Sequence, residues 1–259
     1  TELMNRIVDL VQSSTAIYSD ATKSGMTSGF AIPRIKSIEQ GDAKETAEGV
    51  ANDDEQDTWD QLSLDGVEIK KHLVITRKMT WQSIAAFETW IAEHLARRIG
   101  NAKDKRCITQ LDSTTYGIDT DNVLTNQAYD DAAIRSIMAK IKEEGVRCVY
   151  ANSNTVWNGL FGIQEANKRP IFLPDQTSDP KIAGYIYGAA VKIDENVADN
   201  TAYVGVPTSL LANNFEELYI SNQQEPKTFN TVVGGYSLFD AGLENPKAFV
   251  KVTFKTTGE

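Results

Sequence analysis

The sequence is poor in the residues from which most catalytic and metal sites are built. Among 259 residues there are two cysteines and two histidines. Cys107 and Cys148 lie far apart, with no Cys-x-x-Cys spacing, which argues against a structural zinc site or a disulfide framework. Two buried free thiols are expected instead. Any histidine-dependent acid–base or triad mechanism would have to use His72 or His94. His72 falls in a strand-like alternation beside lysines and His94 in a long helical pattern, so both read as structural. None of G-x-G-x-x-G, G-x-x-x-x-G-K-[ST], G-x-S-x-G or H-E-x-x-H occurs. No run of 18 apolar residues occurs either, and no charged-then-apolar leader precedes Thr1, so neither a membrane span nor secretion is expected. The chain reads as cytoplasmic in origin. Its start at Thr1 fits proteolytic maturation and equally fits loss of an initiator Met.

Basic residues are the minority, 26 Lys and Arg against 36 Asp and Glu, and the net charge of -10 argues against a protein that works mainly by gripping nucleic-acid phosphates. With 41% hydrophobic and 24% charged residues the composition is that of a globular chain, which excludes disordered, collagenous and coiled-coil classes. The length suits one large domain or two small ones.

Along the chain, Leu3, Ile7, Leu10 and Val11 recur at helical spacing and predict a short amphipathic segment. Residues 19–29 read as an extended arm before a strand at Phe30 to Ile38, which Pro33 confines to a sheet edge. From Glu39 to Asp60 nine acidic residues (Glu39, Asp42, Glu45, Glu48, Asp53, Asp54, Glu55, Asp57 and Asp60) face the single Lys44, a local net charge of -8. Such a stretch repels itself and reads as a solvated loop, and it lacks the D-x-D-x-D-G spacing of a calcium loop. Val67, Ile69, Leu73 and Ile75 then alternate with Glu68, Lys70, His72 and Val74 in a mostly period-2 strand pattern, Lys71 interrupting the apolar side. Paired with the Phe30 segment, this strand predicts a long two-stranded arm. Such a ribbon is marginal alone and must be covered by its own chain or by a neighbour.

Thr80 predicts an N-cap, with an apolar stripe of Ile84, Phe87, Trp90, Ile91, Leu95 and Ile99 ending at Gly100. A second helix is expected from Gln127 to Glu144, a buried strand over 146–151 and a short helix over 154–164. Further strands are expected over 185–193, 202–206, 218–221 and 247–255. The carboxylate pairs Asp53-Asp54, Asp130-Asp131, Glu143-Glu144 and Glu216-Glu217 read as surface turns, because adjacency in sequence does not set two carboxyls across a substrate. Trp81 and Trp90 read as core or interface anchors, since no basic residues interleave with them as a base-stacking platform requires. No catalytic, cofactor or metal residue is therefore assigned, and the chain is read as non-enzymatic.

The order of elements, an N-terminal arm, a two-stranded extension, one long helix, an α/β unit and a closing strand, is similar to that of tailed-phage major capsid proteins of the Hong Kong 97 type fold. Ala31-Ile32-Pro33-Arg34-Ile35 enters the extension, and Trp59-Asp60-Gln61-Leu62-Ser63-Leu64 with Lys71-His72-Leu73-Val74-Ile75-Thr76 leaves it. Residues Trp90 to Ile99 resemble the family's spine helix. Val149 to Trp157, followed by Asn167-Lys168-Arg169-Pro170-Ile171-Phe172, resemble its strand, helix and Asn-x-Arg turn. Ile182-Ala183-Gly184-Tyr185 resembles its Gly-x-Pro-Val motif, with Tyr185 and Ile186 in place of Pro-Val.

This resemblance implies a mixed α+β capsid fold. Its parts would be an N-terminal arm over 1–29, an E-loop over 30–78, a peripheral domain over 79–126 and 232–259 containing the spine helix, and an axial domain over 127–231. It further implies a structural subunit that assembles through pentamers and hexamers into an icosahedral head around double-stranded DNA, without sequence-specific DNA contact, membrane or cofactor. Scaffolding, a maturation protease, portal and auxiliary capsid proteins are implied partners, and the virion capsid, assembled in the host cytoplasm, is the implied location. Trp59, Leu62, Leu64, Val67, Ile69 and Leu73 are expected to supply apolar area to an intersubunit contact of the arm. An encapsulin-like compartment would share the fold, and an ordinary α/β enzyme or ligand-binding protein with its site in 127–231 is the reading from another class. The family's Lys–Asn cross-link has no identifiable pair in this sequence.

Overall fold

The computed structural model describes residues 15–27, 30–37, 58–76, 84–175 and 181–255. The helical pattern over 1–12, nearly all of the acidic stretch, and the Thr80 cap with Trp81 lie outside the described residues.

A seven-stranded sheet is built from β5 (Val123–Gln127), β6 (Cys148–Ala151), β7 (Phe172–Pro174), β8 (Ile182–Ile186), β9 (Ala189–Ile193), β10 (Thr201–Gly205) and β13 (Phe249–Phe254). Their order is β5-β13-β10-β6-β9-β8-β7. Every residue of β6 and β10 is buried, because both faces of the sheet are covered. Successive side chains point to opposite faces, and the two apolar clusters divide them accordingly. Cys148, Tyr150, Tyr203 and Phe249 join one cluster with Leu95, Ile99, Cys107 and Leu111 of the long helix. Val149, Ala151, Val204, Val250 and Val252 join the other with Ile134 and Ile137.

The last two residues belong to a helix over Asp131–Lys140, whose N-cap Asp130 accepts a hydrogen bond from the Ala133 N–H at 2.7 Å. This helix is shorter than the sequence predicts at both ends. Residues up to Gln127 are drawn into β5, parallel to β13, and the helix stops before Ile141, whose side chain still joins the same core. The short helix expected over 154–164 is a π turn over Thr155–Gly159 followed by a 3-10 turn over Leu160–Gly162.

The expected single strand over 185–193 is a hairpin of β8 and β9, turned by Tyr187 (φ 48°) and Gly188 (φ 79°). Two successive left-handed residues are what a two-residue hairpin turn requires. The closing strand β13 inserts between β5 and β10, where Val250, Val252 and Phe254 fill one buried face and Phe249 joins the cluster on the other.

A four-stranded sheet is ordered β1 (Thr22–Ser24), β11 (Leu210–Gln224), β12 (Thr231–Leu243) and β4 (Val67–Ile75). β11 and β12 form a long hairpin, of which the sequence reading anticipated only a short segment. Register shifts near Asn214, Glu216 and Tyr219 break the alternation there.

Across β12 and β4 lies the long helix, Ile84–Leu111. It does not stop at Gly100. Gly100 is buried, and Lys103, Asp104, Cys107, Ile108 and Leu111 extend the buried stripe beyond it. Packing along this stripe outweighs the roughly 1 kcal/mol that an interior glycine costs a helix. Two charged residues in the stripe hid its continuation from a hydrophobicity pattern. The helix passes close to the sheet at Gly235, where a Cβ would sit 2.9 Å from Ile99 Cδ1 and 3.0 Å from Leu95 Cδ2. Among the described residues, no helix is long and apolar enough to cross a membrane.

A two-stranded ribbon, β2 (Phe30–Ser37) with β3 (Thr58–Leu64), pairs with no further strand among the described residues. The arm therefore differs from the expected one. The partner of β2 is β3, while β4 turns back and is covered by β12 of its own chain. Pro33 lies on an edge, as its missing N–H requires.

Candidate functional site

Among the described residues, chemistry-bearing side chains do not converge. Among the described residues no group of three or more His, Cys, Asp or Glu side chains is placed to hold a metal. His72 is exposed on β4, and His94 lies against Trp90 on the long helix, ring centroids 4.3 Å apart. Cys107 and Cys148 are free and buried, and burial first, with nearby carboxylates second, pushes both thiols up. A void lined by Ile134, Ile137, Met138, Val149, Leu160, Ile186, Ala202, Val204 and Phe254 is wholly apolar and no larger than about one water molecule. Of the carboxylate pairs, Asp130 caps its helix while Asp131 pairs with Arg135 at 2.8 Å and accepts from the Tyr187 hydroxyl. Each serves local structure.

What the molecule presents is an arm and its anchorage. Leu62 and Leu64, 0% and 1% exposed, plug the base of the ribbon into the body against Leu211, flanked by Ile32, Tyr116 and Phe215. β12 makes room for them at Gly242, where a Cβ would lie 2.5 Å from Leu62 Cδ1 and 3.0 Å from Leu64 Cδ2.

Beside this plug is Asp240, 3% exposed. Its Oδ1 accepts from Arg106 Nε, Gln110 Nε2 and the Ala241 N–H, each at 2.9 Å, and its Oδ2 accepts from the Asp65 N–H at 3.1 Å. One carboxylate thus ties the helix, β12 and the β3–β4 turn together. Sequence reasoning missed it because β12 itself went unrecognised. The available signal was an acidic residue between Phe239 and Ala241 in an otherwise apolar run.

The six residues expected to meet a neighbour separate in the structure. Leu62 and Leu64 make their contact inside their own chain, because the ribbon needs an apolar foot to stand on the body, so they offer no surface outward. Trp59 is placed in the ribbon by its pairing with Ile35, and its side chain lies outside the described residues. Val67 is 40% exposed. Ile69 packs partly against the main core, and Leu73 is half-buried on the same side of β4.

Other large apolar side chains are exposed: Val74 on β4, Tyr219 on β11, Phe229 at the β11–β12 turn, Leu173 on β7, and Trp157 and Phe161 beside it. The rings of Trp157 and Phe161 gather around buried Phe172, with centroids 6.2 and 5.7 Å from its own. Apolar surface offered at several places suits protein–protein contact better than a small-molecule pocket.

A sequence model of the phage capsid family matches residues 1–254. No curated protein matches the sequence. Solved structures share the fold at low identity. The capsid of a native GTA particle superposes with a TM-score of 0.70 at 14% identity, covering 95% of this chain and 91% of that one. A chain from Mycobacterium phage Bobi gives 0.70 at 10% identity, covering 94% and 91%. The mature capsid of bacteriophage PhiM1 gives 0.58 at 13%, covering 93% and 87%.

Proposed function

The chain belongs to the phage capsid family, and from that premise we propose that its copies assemble through pentamers and hexamers into an icosahedral head enclosing double-stranded DNA. It is a structural, non-enzymatic protein of the virion capsid. The finer parts of the reading are our own: a Hong Kong 97 type division into an N-terminal arm over 1–29, an E-loop over 30–78, a peripheral domain over 79–126 and 232–259 with the long helix as its spine, and an axial domain over 127–231. Assembly takes place in the host cytoplasm, with scaffolding, protease, portal and auxiliary proteins as further partners.

The observation that supports this reading best is the β2–β3 ribbon. Among the described residues it pairs with no other strand, and a lone ribbon in water is marginal. A neighbouring copy that covers it supplies the missing burial, and assembly then stabilises the arm by mass action. Trp59 and Val67, with the open edges of Ile69 and Leu73, are the residues we assign to that contact.

Light scattering of the purified protein, with negative-stain images of the same fractions, tests the proposal. Pentamers and hexamers that convert to closed uniform shells are expected. A stable species of one or two subunits under every assembly condition would overturn it. Particle contents separate a DNA-filled head from a protein-filled compartment.

A further inference from the structure

The chain is acidic as a whole, yet one surface of the fold carries the opposite charge. Between Glu93 and Thr109 the long helix exposes Glu93, Arg97, Arg98, Asn101, Lys105 and Thr109. At 3.6 residues per turn, Arg97, Arg98 and Lys105 fall within about 100° of the helix circumference, and Arg97 and Lys105 stand about 12 Å apart along its axis. Leu95, Ile99 and Cys107 take the other side into the core.

These three cations are not spent on local structure. Among the described residues none of them has an ion-pair or side-chain hydrogen-bond partner, whereas Arg106 on the same helix is committed to Asp240. The Asp104 carboxyl is turned inward and accepts from the Tyr18 N–H at 2.8 Å, which leaves Glu93 as the one exposed carboxylate of this stretch among the described residues. Lys71 adds a further positive charge nearby. It interrupts the apolar side of β4 opposite Gly235, the residue over which the helix passes at Leu95 and Ile99, so it lies beside the helix.

The same stretch exposes no apolar side chain. A protein–protein contact is built around an apolar or aromatic centre from which charge is depleted, and this face has none. Unpaired cations in line along a rod suit a phosphate backbone instead, where contacts position a partner without reading its sequence.

We propose that the exposed face of the long helix, through Arg97, Arg98 and Lys105, contacts the phosphates of the packaged DNA. The inference rests on the reading of the chain as a shell around double-stranded DNA and names the surface that touches it. The net charge of -10 sets the strength of the contact. Repulsion from the rest of the subunit keeps each contact weak, and a shell sums many weak contacts on one long polyanion. DNA is then held near the wall without being fixed at any one place.

Fluorescence anisotropy of a labelled mixed-sequence DNA duplex with the purified full chain tests the assignment. The log–log slope of affinity against salt is about -0.9 per phosphate neutralised, so three cations give about -2.7, roughly a 500-fold loss for a tenfold rise in salt. The triple variant Arg97→Gln, Arg98→Gln, Lys105→Gln is expected to bind at least about tenfold more weakly at low salt and to lose most of that slope. Glu93→Gln should bind more tightly than the wild type. A wild-type chain without salt-dependent binding, or a triple variant that matches it in affinity and slope, overturns the proposal. So does a synthetic peptide of residues 39–57 that displaces the duplex and binds the wild type more tightly than DNA does, since the stripe would then belong to the acidic stretch of another copy. Shells are scored separately by light scattering and negative stain. The stripe is assigned no assembly contact, so the triple variant should close normal shells, and normal shells without the DNA effect overturn the stripe while leaving the capsid reading in place. Should the triple variant fail to fold, an unchanged affinity in Glu93→Gln overturns the proposal equally.

Discussion

Arg106 on the long helix and Asp240 on β12 form an ion pair of 2.9 Å. The same Asp240 carboxylate holds the turn at the foot of the arm through the Asp65 N–H. The pair does more than join a helix to a sheet, because it fixes where the ribbon leaves the body.

Asp240→Ala should therefore cost about 3 kcal/mol or more in urea unfolding, since it strands Arg106, Gln110 and the Asp65 N–H around a buried gap. Arg106→Gln should cost roughly 1 kcal/mol, because that side chain is partly exposed and only one bond is lost. Equal losses for the two variants would contradict the central role given to Asp240.

Leu62 and Gly242 are matched in shape, so a double-mutant cycle should reveal coupling between them. Leu62→Ala is expected to cost about 2–5 kcal/mol, and Gly242→Ala about 1–3 kcal/mol by overpacking. The double variant should be less damaged than the sum, because the new methyl group fills part of the space vacated by leucine. Strict additivity would show that the two do not touch.

Val67→Asp and Trp59→Asp should yield soluble subunits that fail to close shells. Ile69→Asp is a poorer probe, because Ile69 also packs against the core and the change would destabilise the subunit itself. Normal shells in negative stain from both Val67→Asp and Trp59→Asp would rule out the contact assigned to this part of the arm.

Neither thiol should react with an aromatic disulfide reagent in the native protein at pH 8, and both should react promptly in denaturant. Cys107 and Cys148 are 0% and 5% exposed, and their raised pKa values leave little thiolate. Rapid native-state labelling of Cys107 would mean that the long helix lifts from its sheet far more readily than its packing suggests.

Much of the architecture could be read wherever one physical signal dominated. The alternation through Val67 to Ile75 predicted β4, and the continuous apolar run at Cys148 to Ala151 predicted a buried strand. Reading failed where tertiary packing outvoted the local pattern. Gly100 looked like a helix end, yet the helix runs on because Lys103 and Asp104 are buried by partners remote in sequence. β12 went unseen because Gly234, Gly235, Ser237 and Asp240 interrupt it, each of them serving a close approach or a buried hydrogen bond. The arm's residues were located, but which of them face outward was not legible. Leu62 and Val67 are equally apolar, and only the three-dimensional position of β12 decides that one is a plug and the other a surface.

The placement of β13 also bears on synthesis. Val123 finds its neighbour in Lys251, so the central sheet cannot close until almost all of the chain described here has left the ribosome. Pairing over such a sequence distance is slow to nucleate. A nascent chain thus has no finished sheet to offer its siblings on a polysome, and a subunit built this way is protected from joining others before it is whole.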